Sequence, residues 1–172
     1  NAKEIDKDKL KLEYQESIEM LEDFFQKNIH VLDETNTAVL NHNDLHFENI
    51  FYKDDKITGI IDFDFTRFAA KDYELRKLID FTHTPTDYIE DALQEIYKDQ
   101  QLTQEVKWLK KYYPALFDSQ NLLTRVRLYL RDGLLWTTSE YLAGRWSENV
   151  MIKNQRKIND WYQNDWLEKL LC

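Results

Sequence analysis

The sequence predicts a mainly α-helical domain that carries one small β hairpin. Three observations predict it. Gly and Pro number only three and two in 172 residues, too few for the many tight turns of a sandwich or barrel. Apolar residues recur at three-to-four spacing over most of the chain. One stretch departs from that period, where short apolar runs are separated by polar turns. The length suits one sizeable core and falls short of two ordinary domains, so residues 1–172 read as a single domain. An apolar share of 42% and an aromatic share of 14% exclude a disordered chain.

Taken in order, the first element is an amphipathic helix over Lys7 to Asn28, with Leu10, Leu12, Tyr14, Ile18, Leu21, Phe24 and Phe25 on one stripe. The runs Thr37 to Leu40, Asn49 to Lys53 and Ile57 to Ile61 read as strands, and two of them pair as a hairpin across Asp54-Asp55-Lys56. Helices follow at Tyr73 to Phe81, Asp87 to Asp99, Thr103 to Tyr112, Gln120 to Gly144 and Lys153 to Leu171, with Pro85 and Pro114 at breaks. The fourth of these carries Leu122, Leu123, Val126, Leu130, Leu134 and Leu135 and reads as the core helix, where Gly133 marks a close helix contact. Trp108, Trp136, Trp146, Trp161 and Trp166 read as bundle core, an aromatic wall for a quaternary ammonium ligand being the alternative. Glu140, Glu148 and Asp165 read as a solvated helix face rather than as partners of substrate amines. No repeat, low-complexity tract or linker interrupts the chain.

Composition also bounds the partners. A formal charge of −9 argues against a nucleic-acid backbone, which is bound through Lys and Arg, and favours a cationic small molecule. One cysteine, Cys172, leaves no intrachain disulfide and points to a reducing, cytoplasmic setting. No run approaches the ~18 to 20 apolar residues of a membrane span, and the charged stretch Asn1 to Lys11 is unlike a signal peptide. The expectation is a soluble protein with no membrane partner.

The chemistry lies in Asn41-His42-Asn43-Asp44-Leu45-His46-Phe47-Glu48-Asn49 and in Ile60-Ile61-Asp62-Phe63-Asp64. Phosphoryl transfer from ATP needs a carboxylate to take the proton of the attacking hydroxyl, and oxygen ligands to hold magnesium against the phosphates. Asp44, Asn49 and Asp62 supply that set, and Asp64 offers a further carboxylate for the metal. A loop between apolar strands can aim Asp44 and Asn49 into one cleft, and Asp62 ends a strand that can face them. The residues leave a second reading open. His42, Asp44 and His46 form an H-x-D-x-H pattern that can hold a transition metal in a hydrolase, though this leaves the Ile-Asp-Phe-Asp segment unused.

The pattern H-x-D-x-x-x-x-N followed by a strand and Ile-Asp-Phe resembles the catalytic loop and metal segment of the aminoglycoside phosphotransferase and choline kinase family. The family's H-G-D-L-H-x-x-N is matched at His42, Asp44, Leu45, His46 and Asn49, with Asn43 in place of Gly, a change of backbone shape that leaves every chemical group present. Protein kinases have Gly after the Asp-Phe pair and Arg before the loop aspartate, where this chain has Asp64 and Asn43, so the small-molecule branch fits better. The resemblance is best from Thr37 to Phe81. It implies that Asp44 is the catalytic base, that Asn49 and Asp62 hold Mg2+ and with it the ATP, that His42 braces the loop, and that His46 is structural. In the family-like segment after Arg67, Asp72 reads as a helix N-cap with Glu74 in the first turn.

The fold implied is the C-terminal lobe of a protein kinase-like fold with its N-terminal β lobe missing. Gly59, Gly133 and Gly144 are too far apart for a phosphate loop, and no strand bearing a suitable lysine precedes the first helix. The chain alone is therefore expected to be nearly inactive and to need the absent lobe as its partner. The acceptor implied is a small hydroxyl compound, a cationic aminoglycoside-like one ahead of choline, ethanolamine or another amino alcohol. A lobe that binds such a molecule without catalysis is the alternative from another class.

Overall fold

A computed structural model describes residues 7–33, 38–88, 94–95 and 102–172 of the chain. In it the first helix, α1 (Lys7–Asn28), has the expected bounds, and the stripe it buries includes Tyr14, Ser17 and Leu21. A 3-10 turn (Ile29–Leu32) leads on from α1, and its Val31 is buried.

Two small antiparallel sheets follow. Strand β1 (Ala38–Asn41) pairs with β4 (Arg67–Ala70) in the register Ala38 to Ala70 and Asn41 to Arg67. Strand β2 (Ile50–Lys53) pairs with β3 (Lys56–Ile60), Ile50 opposite Ile60 and Lys53 opposite Lys56. The hairpin turn places Asp54 at φ 51° and Asp55 at φ 60°. Positive φ at both central residues is the turn whose twist matches that of paired strands, and Asp tolerates it better than most residues. The expected hairpin is present; β4 is an addition, since its Arg-Phe-Ala-Ala lies in a segment read as the approach to a helix. Thr37, the start of the first expected strand, lies outside the described residues. Both sheets are thin and exposed: Phe51, Tyr52, Ile57 and Phe68 each show more than half of their surface.

The remainder is helical. A 3-10 turn (Lys71–Glu74) feeds α2 (Leu75–His83), and α3 (Thr103–Tyr112), α4 (Leu122–Leu142), α5 (Glu148–Ile158) and α6 (Trp166–Leu171) follow. The helix expected over Asp87 to Asp99 falls mostly outside the described residues. The core joins Leu75 and Ile79 of α2, Val106 of α3, Val126, Leu130 and Leu134 of α4, Met151 and Ile158 of α5, and Leu167 and Leu171 of α6. The α4 residues stand four apart and so form one stripe. Each such side chain contributes about 1.5–3 kcal/mol by leaving water. A polar node crosses the same interior: the Tyr14 hydroxyl bonds Thr138 and Asn154, and Asn154 Nδ2 donates to Leu134 O at 3.2 Å.

Helix α4 stops in a Schellman motif, with Gly144 at φ 72°, its N–H on Tyr141 O at 2.8 Å and Arg145 N–H on Glu140 O at 3.0 Å. The single helix expected from Lys153 to Leu171 begins earlier and is broken. A π turn (Asn159–Gln163) interrupts it, and the Asn164 side chain then takes the Trp166 N–H at 2.9 Å, giving the backbone a local alternative to the helical bond.

Two further expectations are corrected. A Cβ at Gly133 would meet only Arg76 Nη1, at 3.9 Å, an ordinary contact, so this glycine is not there for close helix packing. Of the tryptophans, Trp161 is buried and Trp166 packs against the core, but Trp108 and Trp136 are 54% and 57% exposed, because they stand on the outer faces of α3 and α4.

Candidate active site

The loop between β1 and β2 is built from its flanks inward. Asn41, buried at the end of β1, donates through Nδ2 to Val39 O at 3.1 Å and to Ala69 O and Ala70 O at 3.2 Å, locking β1 against β4. The next residue, His42, donates from Nε2 to Ile61 O at 2.8 Å and packs its ring 4.7 Å from Phe63. That bond ties His42 to the end of the strand that leads into Asp62. Among the described residues no three His, Cys, Asp or Glu side chains gather as a metal cluster.

Asn43 lies at φ 64°, the left-handed region that favours Gly and admits Asn. It is buried and held on every side. Its N–H donates to the Glu74 carboxylate at 3.1 and 3.2 Å, its Nδ2 to Phe65 O at 3.2 Å, and its Oδ1 accepts from Arg76 Nη2 at 2.9 Å. The loop is therefore shaped by Glu74 and Arg76, at the start of α2, as much as by its own sequence.

Asp44 comes next and meets Lys77 of α2, whose Nζ lies 2.7 Å from Oδ1. His46 Nε2 lies 3.6 Å from Asp44 Oδ2. Burial pushes the Asp44 pKa up, but the hydrogen bond and charge of Lys77, with the fields of His46 and His42, outweigh it and hold the group below its ordinary value. Asp44 is thus an ionised, largely buried carboxylate.

Asn49 closes the loop. It is buried, donates from Nδ2 to Asp44 O at 2.9 Å and to His46 Nε2 at 3.2 Å, and accepts the Ile61 N–H on its carbonyl at 3.0 Å. Its side-chain oxygen is then the atom left for a cation. Asp62, which follows Ile61, takes φ 61°, and departures of this kind concentrate at functional sites. Asp62 and Asp64 are exposed, and neither carboxylate has a hydrogen bond or ion pair among the described residues.

The structure thus brings Asp44, His46 and Asn49 into direct contact and sets Asp62 beside them through the bonds of Ile61 to Asn49 and His42. Asp72 serves differently from the expected N-cap. Its carboxylate is fully buried and taken by Arg125, with Nε at 2.6 Å and Nη2 at 3.1 Å, and by the Tyr129 hydroxyl at 3.1 Å. Arg125 Nη1 goes on to Val31 O at 2.7 Å, so Asp72 links the start of α2 to α4 and to the turn after α1. Lys77 is the residue at the site that the sequence reading lacks. A lysine on a helix carries no local sign of the partner it will meet.

On the far side of Lys77 from Asp44 opens a cavity of about 410 Å³, lined in part by Lys77, Tyr88, Trp136, Trp146 and Trp161 though not by Asp44 itself. Lys77 joins the two places, since its ammonium also lies 4.5 Å over the Tyr88 ring.

Residues 1–109 match the model of the phosphotransferase enzyme family. The chain belongs to that family. The match spans α1, both sheets, the loop with Asp44 and Asn49, the Asp62 segment and α2, and agrees with the resemblance to aminoglycoside phosphotransferases and choline kinases. No curated protein and no solved structure matches the chain. Among the described residues no helix is long and apolar enough to cross a membrane.

Proposed function

We propose that this phosphotransferase moves the γ-phosphoryl group of ATP to a hydroxyl of a small molecule seated in the cavity that adjoins Lys77. The observation that carries the reading is the position of Asn49, whose side chain holds the Asp44 carbonyl while its backbone holds Ile61, next to Asp62. One buried residue thereby fixes the distance between the proton acceptor and the metal segment.

In this reading Asp44 orients the acceptor hydroxyl and takes its proton as the oxygen–phosphorus bond forms and the bond to the leaving ADP breaks. A carboxylate held ionised by Lys77 is in the state this step requires. The donor set suits magnesium, a hard cation that prefers a few carboxylate or amide oxygens: Asn49 and Asp62 would hold it, with Asp64 in reach of a second position. When bound, the ion neutralises charge on the phosphates. His42 and Asn43 fix the loop so that Asp44 need not reorganise during the reaction. The β-rich lobe that would cover ATP belongs to the same proposal, and exposed Phe51, Tyr52, Ile57 and Phe68 are apolar surface it would cover.

The test is transfer from γ-labelled ATP to a panel of sugars, amino alcohols and hydroxy acids by the protein with its β-rich lobe in place, with Mn2+ binding followed by electron paramagnetic resonance. Asp44→Asn should lower turnover by roughly 10²–10⁴-fold and leave Mn2+ binding in place, whereas Asp62→Asn should weaken the metal. With that lobe in place, measurable turnover that is equal in Asp44→Asn and the parent would sink the assignment.

A further inference from the structure

The charge of the whole chain is −9, yet the cavity that adjoins Lys77 has the opposite balance. Four cations line it, Arg76, Lys77, Lys153 and Lys157, against the two carboxylates of Asp80 and Asp87. Fields from more distant surface acids are screened over about 8–10 Å of salt solution, so a ligand responds to this local set.

Three of the four cations are already matched. Lys77 holds Asp44 at 2.7 Å, Lys157 holds Asp80 at 2.5 Å, and Lys153 holds Asp87 at 2.6 Å. Arg76 is different. Among the described residues it has no carboxylate partner; its guanidinium donates to the neutral Asn43 Oδ1 at 2.9 Å and lies 5.5 Å from the Tyr73 ring. Its Nε is buried without a hydrogen-bond partner, as is Nε1 of Trp161, which lines the same cavity. Both atoms are donors that the protein itself leaves without an acceptor. A half-buried guanidinium without a counter-charge favours an anion beside it, and its planar fork suits carboxylate or phosphate oxygens.

Elsewhere on the cavity wall Trp136 and Trp146 meet edge to face, with ring centroids 4.8 Å apart, a surface that accepts a flat or apolar body. We propose that the acceptor carries an anionic group, a carboxylate or a phosphate, and that Arg76 is its counter-ion, rather than the cation that the net charge suggests. The word acceptor rests on the phosphotransferase reading; the charge preference does not.

The experiment is a tryptophan-fluorescence titration, without ATP, with phenyl phosphate, benzoate, benzyl alcohol and benzyltrimethylammonium. At least one of the two anions should bind about tenfold or more tightly than the neutral and cationic compounds, and the stronger of the two shows which anion is preferred. Gly133→Asp sets a carboxylate against Arg76 in a position where a Cβ has room. It should cost the favoured anion about tenfold and leave benzyl alcohol unchanged, with Gly133→Ala as the neutral control. The proposal is overturned if the cation or the alcohol binds as tightly as both anions, or if Gly133→Asp changes nothing while circular dichroism shows it folded. Anion selectivity with no transfer to any hydroxyl, even with the β-rich lobe in place, would defeat the phosphotransferase reading alone; transfer to a cationic acceptor without anion selectivity would defeat only this one.

Discussion

Lys77 Nζ stands 2.7 Å from Asp44 Oδ1, so the proposed proton acceptor is ion-paired to a helix that belongs to the cavity wall. Replacing this lysine with Met removes the main influence that lowers the Asp44 pKa, leaving burial to raise it. The acid limb of the kcat/KM profile should move to higher pH, since only the ionised carboxylate accepts a proton. The stability that Asp44 contributes is present above its unfolded pKa and lost as pH falls through its lower folded value, and Lys77→Met should diminish it. Carbon-13 NMR titration of Asp44 in both proteins checks the direction; an unmoved or lowered pKa in the variant contradicts it.

The buried pair of Asp72 and Arg125 should behave as a structural cross-tie. Arg125→Met leaves a carboxylate without its counter-charge and should cost about 3–5 kcal/mol in urea unfolding, or roughly 6–20 °C in Tm at this size. The double replacement Asp72→Leu with Arg125→Met should recover part of the loss, because no lone charge remains. A single variant that loses under about 1 kcal/mol would show the pair to be dispensable.

Asn43 allows a test of backbone against side chain. Asn43→Gly keeps the φ of 64° without strain but loses the bonds to Phe65 and Arg76, a cost of about 1–3 kcal/mol. Asn43→Val loses the same bonds and adds the left-handed penalty of about 1–2 kcal/mol. Chemical denaturation should therefore rank the parent above Gly and Gly above Val. If Val matches Gly, the loop does not hold this conformation in solution.

His83 should make folding weaken in mild acid. Burial lowers its pKa, and the Asp160 bond at 2.6 Å only partly offsets this. As pH falls below about 6.5 the unfolded chain takes up the proton first, so stability is full above that value and declines towards the lower folded one. Urea midpoints at pH 7.5 and 5.5 should differ in the parent and differ less in His83→Gln.

What could be read in the sequence was what local chemistry determines. The loop pattern singled out Asp44 and Asn49 because their spacing is short and their neighbours are apolar strands, and the Gly-like position of Asn43 foreshadowed its positive φ. The bounds of α1 and α3 followed from period alone. Strand β4 was not legible, since four residues carry no alternation and their partner, β1, lies far back in the chain. Arg76 and Lys77 escaped notice, and Glu74 was read only as a first-turn charge, for a related reason: each acts through a contact that exists only once α2 lies against the loop. Asp72 looked like a cap because it precedes a helix, and only burial beside Arg125 shows where its charge is spent. The surplus of cations on the cavity wall was hidden in the same way, behind a net charge dominated by surface residues.

The pairing of β1 with β4 has a thermodynamic corollary for everything it encloses. Residues 42–66 form one closed excursion, tied at its base by a four-residue ladder. Closing a loop of that length costs about 3 kcal/mol of chain entropy, so partial release gains little until the ladder itself parts. Asp44, Asn49 and Asp62 should therefore exchange amide hydrogens as a single cooperative unit, with one shared opening free energy rather than three separate ones.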